Sequence, residues 1–248
     1  MNVGLNSMNQ EITVKEYTIG QIFSESWRIF KEHFQIIALV TLVVYIPINI
    51  IIFLIPLDAL MSQEGALRGF RVYMRMIQIL EGLIGIIATM AITYIVKVAG
   101  DGGSVTLAQA FKKSLSRWPA AIWTSIIAGF FLLGLTLLLV VPGIIYSVYW
   151  SFILYVVIVN EKSGLIALKY SKTLVKGRWW KIVGFSSVFA LVGFVAVMIS
   201  GIPNYFLPEN IAVTVTTYTF TDIVAAYFTV VSAIFYLNVD ATKKIGIA

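Results

Sequence analysis

Six long apolar runs divide this chain, at about 35–57, 76–96, 119–141, 143–160, 180–202 and 219–238. A helix needs roughly 20 apolar residues to cross the hydrocarbon core of a bilayer, so each run predicts a transmembrane span, the fourth being the shortest. Only Pro142-Gly143 separates the third run from the fourth, which predicts a hairpin with a very tight turn. The lead-in to the sixth, VTVTTYTFT, is rich in β-branched residues and reads as a candidate extended segment on the outer side.

The polar positions between the runs have a helical period. After Thr18, the residues Ile19, Ile22, Phe23, Phe30 and Phe34 oppose Gln21, Ser24, Glu25, Arg28 and Glu32. After Thr106, the face Leu107, Ala108, Phe111, Leu115 and Trp118 opposes Gln109, Lys112, Lys113, Ser116 and Arg117. Spacings of three and four residues of this kind define one face of a helix, and Thr18 with Gln21 and Thr106 with Gln109 match the capping-box pattern. In the third segment Ile166, Tyr170 and Leu174 oppose Lys169, Lys172 and Lys176, while Leu165, Leu168 and Val175 blur the pattern. All three predict helices lying at the membrane surface and leading into a span.

These segments also resemble one another. TIGQIFSESW from Thr18, TLAQAFKKSL from Thr106 and LIALKYSKTL from Leu165 align position by position, pairing Phe23, Phe111 and Tyr170, and Ser26, Ser114 and Thr173. An Ile-Pro or Val-Pro step follows each, at Pro56, Pro142 and Pro203. Each copy holds one surface helix and two spans, so the copies run parallel, related about the membrane normal. The expected fold is an all-α polytopic integral membrane bundle. It has six transmembrane helices in three parallel repeats, each preceded by an interfacial amphipathic helix. The chain, 1–248, is then a single membrane domain with repeats at 17–98, 104–160 and 163–240.

Composition agrees. The chain is 59% hydrophobic and 12% charged, with mean hydropathy +0.91, against about 25% charged residues in soluble domains. A net charge of +6 would suggest nucleic acid on a compact domain, but these cations punctuate apolar runs. Lys15, Arg28, Lys31, Lys97, Lys112, Lys113, Arg117, Lys162, Lys169, Lys172, Lys176, Arg178, Lys181, Lys243 and Lys244 all fall on one side, 15 of the 18. Arg68, Arg71 and Arg75 fall on the other. Cytoplasmic loops carry the Lys and Arg excess, so both termini are expected in the cytoplasm, with the polar N-terminal segment retained. Nucleic acid is not an expected partner; the lipids of the anionic inner leaflet are, and a protein partner or a second copy of the chain are further candidates.

The stretch LVKGRWWKIVG shows how the collar would work. Gly177 can break the surface helix, Trp179 and Trp180 suit the headgroup level, and Lys176, Arg178 and Lys181 face anionic lipid at roughly 1 kcal/mol each. Lys112, Lys113, Arg117 and Trp118 before the third span, and Arg28 and Lys31 before the first, extend the same belt.

ALKYSKTLVKGRWWKIVG (Ala167 to Gly184), SESWRIFKEHF near the N-terminus and VPGIIYSVYWSF in the hairpin resemble the membrane-domain family attached to some bacterial glycerophosphoryl diester phosphodiesterases. That family carries its catalysis on a separate soluble barrel with His and acidic residues. The resemblance therefore implies a polytopic module of a prokaryotic cytoplasmic membrane, without phosphodiesterase activity.

Candidate chemistry is sparse. There is no Cys, and His33 is the only histidine, so no His-based metal site or catalytic triad can be assembled within this sequence. No catalytic residue, metal or cofactor is expected. Glu81, Asp222 and Asn49 are polar groups inside predicted spans, where charge is expensive and by default functional. Glu81 is equally readable as an outer-interface residue meeting Arg75 or water. Together the three would outline a polar pocket if they converge. Glu161 and Asp240 read as charges at span ends. The function expected first is a non-enzymatic module that organises lipid or partner proteins. A small-molecule or lipid transporter comes second, and an embedded lipid-headgroup enzyme third.

Overall fold

The computed structural model describes residues 16–55, 65–202, 206–207 and 210–244. Lys15, Pro56 and Pro203, which the sequence reading used, lie outside these residues. Every described secondary-structure element is helical. The order is α1 (Ile19–Glu32), α2 (Phe34–Leu54), α3 (Ala66–Leu80), a π-helical turn (Glu81–Gly85), α4 (Ile86–Gly100), α5 (Leu107–Leu138), α6 (Val140–Tyr149), α7 (Ile153–Val159), α8 (Gly164–Val175), α9 (Trp179–Ser200) and α10 (Ile211–Lys244). Six helical stretches are long and apolar enough to cross a membrane: Phe34–Leu54, Leu67–Gly100, Leu107–Leu138, Val140–Val159, Trp179–Ser200 and Ile211–Lys244. The chain is a multi-pass membrane protein.

Several boundaries differ from the sequence expectation. Leu107–Leu138 is one continuous helix through Pro119, so the expected second surface helix and third span are not separate. A proline removes one hydrogen bond and kinks a helix, but neighbouring helices in a membrane bundle tolerate it. The hairpin break falls at Leu139 (φ −156°, ψ 130°), and Pro142 and Gly143 lie inside the first turn of α6. There the missing proline N–H has no intrahelical acceptor to lose. An ideal Cβ on Gly143 would overlap Thr136 Oγ1 and lie 3.2 Å from Thr136 Cα, so only glycine lets α6 return so closely against α5. The fourth span is interrupted between Tyr149 and Ile153. VTVTTYTFT is helical, within α10, not extended. The helix that holds the second span starts at Leu67, ahead of the expected run from 76, and includes Arg68, Arg71 and Arg75.

The core is organised around α10, which packs against α1, α2, α4 and α9. Its second half buries Val230, Val231, Ala233, Ile234, Phe235, Tyr236, Asn238, Val239, Asp240 and Thr242, nearly all round its circumference. The surrounding spans bury one stripe each. At the far side α5 and α6 project an apolar surface, with Phe130, Leu133, Leu137, Leu138 and Val140 all exposed.

The capping boxes at Thr18–Gln21 and Thr106–Gln109 are formed, each with the side-chain and backbone bonds reciprocated. The face α1 buries is close to the predicted one, with Ile19 and Phe23 also packed against the core, whereas those of α5 and α8 are rotated. α1 buries Ile22, Ser26, Ile29 and Phe30 while Phe34 is exposed, α5 buries Ala110 and Ser114 while Leu115 is exposed, and α8 buries Ala167, Leu168, Ser171, Leu174 and Val175 while Ile166 is exposed. The reason is that these helices pack partly against other helices, where small residues permit close approach.

Candidate functional site

Asn49 on α2 and Asp222 on α10 meet. Asn49 Nδ2 donates to Asp222 Oδ2 at 2.7 Å and to Thr219 Oγ1 at 3.2 Å. A cavity of about 20 Å³ beside Asp222 is lined by Tyr45, Thr89 and Thr229 among small residues, which is room for one water. Glu81 is not joined to this pair. It is exposed at the start of the π turn and makes no hydrogen bond or ion pair among the described residues, with Arg75 or any other group. Two of the three predicted groups therefore bond directly, and Glu81 lies near them without bonding either: its Cβ and the Tyr45 hydroxyl come within 3.8 and 3.3 Å of the position a Gly85 Cβ would take, and Tyr45 lines the cavity beside Asp222. The π turn serves a different contact: the Leu83 carbonyl accepts from Trp118 Nε1 at 2.6 Å.

About five turns further along α10, Asp240 is buried and forms the hub of a second network. Tyr170 OH donates to Asp240 Oδ1 at 2.6 Å, while Lys244 Nζ at 2.6 Å and Asn160 Nδ2 at 3.4 Å donate to Oδ2. Asn160 Oδ1 in turn accepts from Tyr236 OH. Burial, and then the bond to Asp240, push the Tyr170 phenol well above its usual range. Asp240 is expected from the sequence as a span-end charge; in the structure it ties α8, the end of α7 and α10 together. The signal available was its register with Asp222 on one face of a long helix.

The basic collar divides in two. One part is consumed internally. Arg28 is gripped by Glu25 and by Glu32 at 2.7 Å, and these bonds push its guanidinium above its ordinary value. Lys31 lies 5.7 Å over the Trp27 ring. Lys113 and Arg117 both pair with Glu161. Arg178 does not face lipid. It is only 8% exposed, pairing with Glu16 at 3.2 Å and donating to Thr242 Oγ1 at 2.7 Å. Its Nε and Nη2 are buried without a partner among the described residues, and burial pulls its pKa down against the pull of Glu16. Lys181 shares Glu16, and Trp179 Nε1 donates to the Ile145 carbonyl at 3.3 Å. The other part is exposed: Lys112, Lys176 and Trp180, the last 80% exposed.

Glu161 adopts a left-handed backbone (φ 58°), a conformation unfavourable for a non-glycine residue, beside the two cations that hold its carboxylate. The bond from Lys113 and the charges of Lys113 and Arg117 keep Glu161 below its ordinary 4.5. A depressed carboxylate contributes stability above its unfolded pKa and loses it as pH falls through the folded value. Acidification below about pH 4.5 should therefore release the loop after α7 from α5, while Glu161→Gln should remove that acid-dependent step. Hydrogen exchange of residues 160–164 across pH 3 to 6 checks this; identical pH profiles for the two proteins would refute it.

A cavity of about 460 Å³ opens at the same end, with Glu25, Lys97, Asp101, Asp240 and Lys244 around an apolar wall that includes Ile29, Val96 and Leu237. No cluster of three or more His, Asp or Glu residues suited to a metal ion occurs among the described residues. Comparisons with protein-family models, curated proteins and solved structures return no match.

Proposed function

We propose that this chain is a multi-pass module of a prokaryotic cytoplasmic membrane that gathers anionic lipid or a partner protein at its basic end, which faces the cytoplasm, and carries out no chemistry of its own. The observation that carries this reading is the division of the collar. Arg28, Lys113, Arg117, Arg178 and Lys181 are neutralised within the fold, whereas Lys112 and Lys176, with Trp180 nearby in sequence, are exposed and free of carboxylate partners among the described residues. Exposed cations beside aromatic side chains suit an anionic surface.

The three-repeat reading belongs with this proposal, in an adjusted register. Thr18, Thr106 and Ser163 precede α1, α5 and α8, and at one common spacing beyond them Ser26, Ser114 and Ser171 are all buried. Thr173, which the sequence pattern pairs with Ser26 and Ser114, is exposed. The leading helices then act as collar elements of three parallel copies, and the resemblance to the phosphodiesterase-associated membrane domains points to the same kind of module. A transporter is the second reading, favoured by the Asn49–Asp222 contact and its water-sized cavity.

Mass spectrometry of everything retained after extraction at native abundance into polymer-bounded bilayer discs tests both. Enriched anionic lipid or a stoichiometric partner protein is the expected result. Lipid of bulk composition with no partner overturns the module reading, and one retained small metabolite in that background would turn belief to transport.

A further inference from the structure

Between α5, α6 and α8 lies a groove of about 360 Å³ whose floor is aromatic. Phe131 packs 6.2 Å from Trp150, and Trp150 packs 5.1 Å from Tyr146. One wall is a single row on α8: Leu165, Leu168, Lys169 and Lys172, spaced so that their side chains line up on one face. No carboxylate lines the groove. Lys172 Nζ donates to Tyr146 OH at 3.1 Å and stands over the rings of Tyr146 and Tyr149 at 4.7 and 5.5 Å. An ammonium has three donors, so Lys172 keeps others for a ligand. Neither it nor the exposed Lys169 has an ion-pair partner among the described residues. Arg28, Lys113, Arg117, Arg178, Lys181 and Lys244 all do.

We propose that this groove seats one anionic glycerophospholipid, with its phosphodiester between Lys169 and Lys172 and an acyl chain along Phe131, Leu135 and Leu165. The inference rests on the lipid-organising reading above and names the lipid class and its place. Charge complementarity selects the occupant. Two ammonium groups without a carboxylate favour a headgroup with net negative charge, whereas a zwitterionic lipid brings its own cation to the same spot. The apolar floor selects a lipid over a free phosphate, because the dissolved anion would leave the aromatic rings uncovered. The groove also adjoins the exposed apolar face of α5 and α6, along which a lipid could arrive from the bilayer.

Trp150 is a reporter already in place. The full chain is reconstituted in phosphatidylcholine nanodiscs with rising fractions of dibrominated phosphatidylglycerol, and the emission difference between wild type and Trp150→Phe isolates this residue. Trp150 should be quenched at a several-fold lower fraction of brominated phosphatidylglycerol than of brominated phosphatidylcholine. K169Q/K172Q should raise the required phosphatidylglycerol fraction about tenfold, and the charge-keeping K169R/K172R should retain the preference and control for folding. Equal quenching by the two brominated lipids overturns the proposal, as does an unchanged phosphatidylglycerol dependence in K169Q/K172Q. If wild-type polymer discs still retain enriched anionic lipid while Trp150 shows no preference, the groove alone falls. If neither enrichment, partner protein nor preference is found, the module reading falls with it.

Discussion

Glu16→Gln should destabilise the protein by about 2 kcal/mol, and Arg178→Met should cost under about 1 kcal/mol or be neutral. The asymmetry follows from what each substitution leaves behind. Arg178 is buried, and Glu16 is its one carboxylate partner among the described residues; Glu16 also pairs with Lys181. Neutralising Glu16 strands a buried guanidinium, and stranded charges of this kind typically cost 3–5 kcal/mol. Because the Glu16 side chain is 32% exposed, water screens part of that loss, which sets the lower figure. Arg178→Met removes the charge together with two donors, Nε and Nη2, that have no partner among the described residues. It gives up the 2.7 Å bond to Thr242, but that hydroxyl also bonds the Asn238 carbonyl at 2.8 Å. Unfolding free energies from SDS titration in bicelles measure both, and the double variant should be more stable than Glu16→Gln alone. An Arg178→Met loss equal to or larger than that of Glu16→Gln would sink this account.

The second large effect is at the Asp240 hub. Asp240→Ala should cost about 3 kcal/mol, because it leaves the Tyr170 hydroxyl, the Asn160 amide and the Lys244 ammonium without their acceptor at once, and an unsatisfied buried polar group costs about 1–3 kcal/mol. Tyr170→Phe removes one donor and leaves Asp240 with its other two bonds, so about 1 kcal/mol is expected. Lys244→Ala should be close to neutral, since the Lys244 side chain is 59% exposed and exposed ion pairs contribute little. Hydrogen exchange in α7 and α8 should rise in Asp240→Ala, since the network is one of the ties between them and α10. If Tyr170→Phe costs as much as Asp240→Ala, the hub is not shared in the way the geometry indicates.

Both effects sit at polar contacts between residues far apart in sequence: Glu16 with Arg178, and Tyr170 with Asp240. A local pattern cannot show them. The cluster LVKGRWWKIVG reads in sequence as one basic face, yet its side chains part company: Lys176 and Trp180 are exposed, Arg178 is buried and Lys181 pairs with Glu16. Similarly, Asn49 and Asp222 were recognisable as intramembrane polar groups from their positions within apolar runs, but neither their 2.7 Å bond nor the fact that Glu81 bonds neither of them was.

Hydropathy by itself determined that the chain is helical and crosses a membrane with six spans, because a backbone in hydrocarbon must satisfy its hydrogen bonds within each segment, a local requirement that local sequence can express. The two capping boxes were legible for the same reason: Thr18 with Gln21 and Thr106 with Gln109 are neighbours in sequence. Tertiary structure alone decided that α10 is the central helix, that α5 runs unbroken through Pro119, and which cations remain available to a ligand. Those outcomes depend on which apolar faces meet in a bilayer, where van der Waals packing and polar contacts choose the helix partners. Helical period shows that a residue has a face; it does not show what the face will touch.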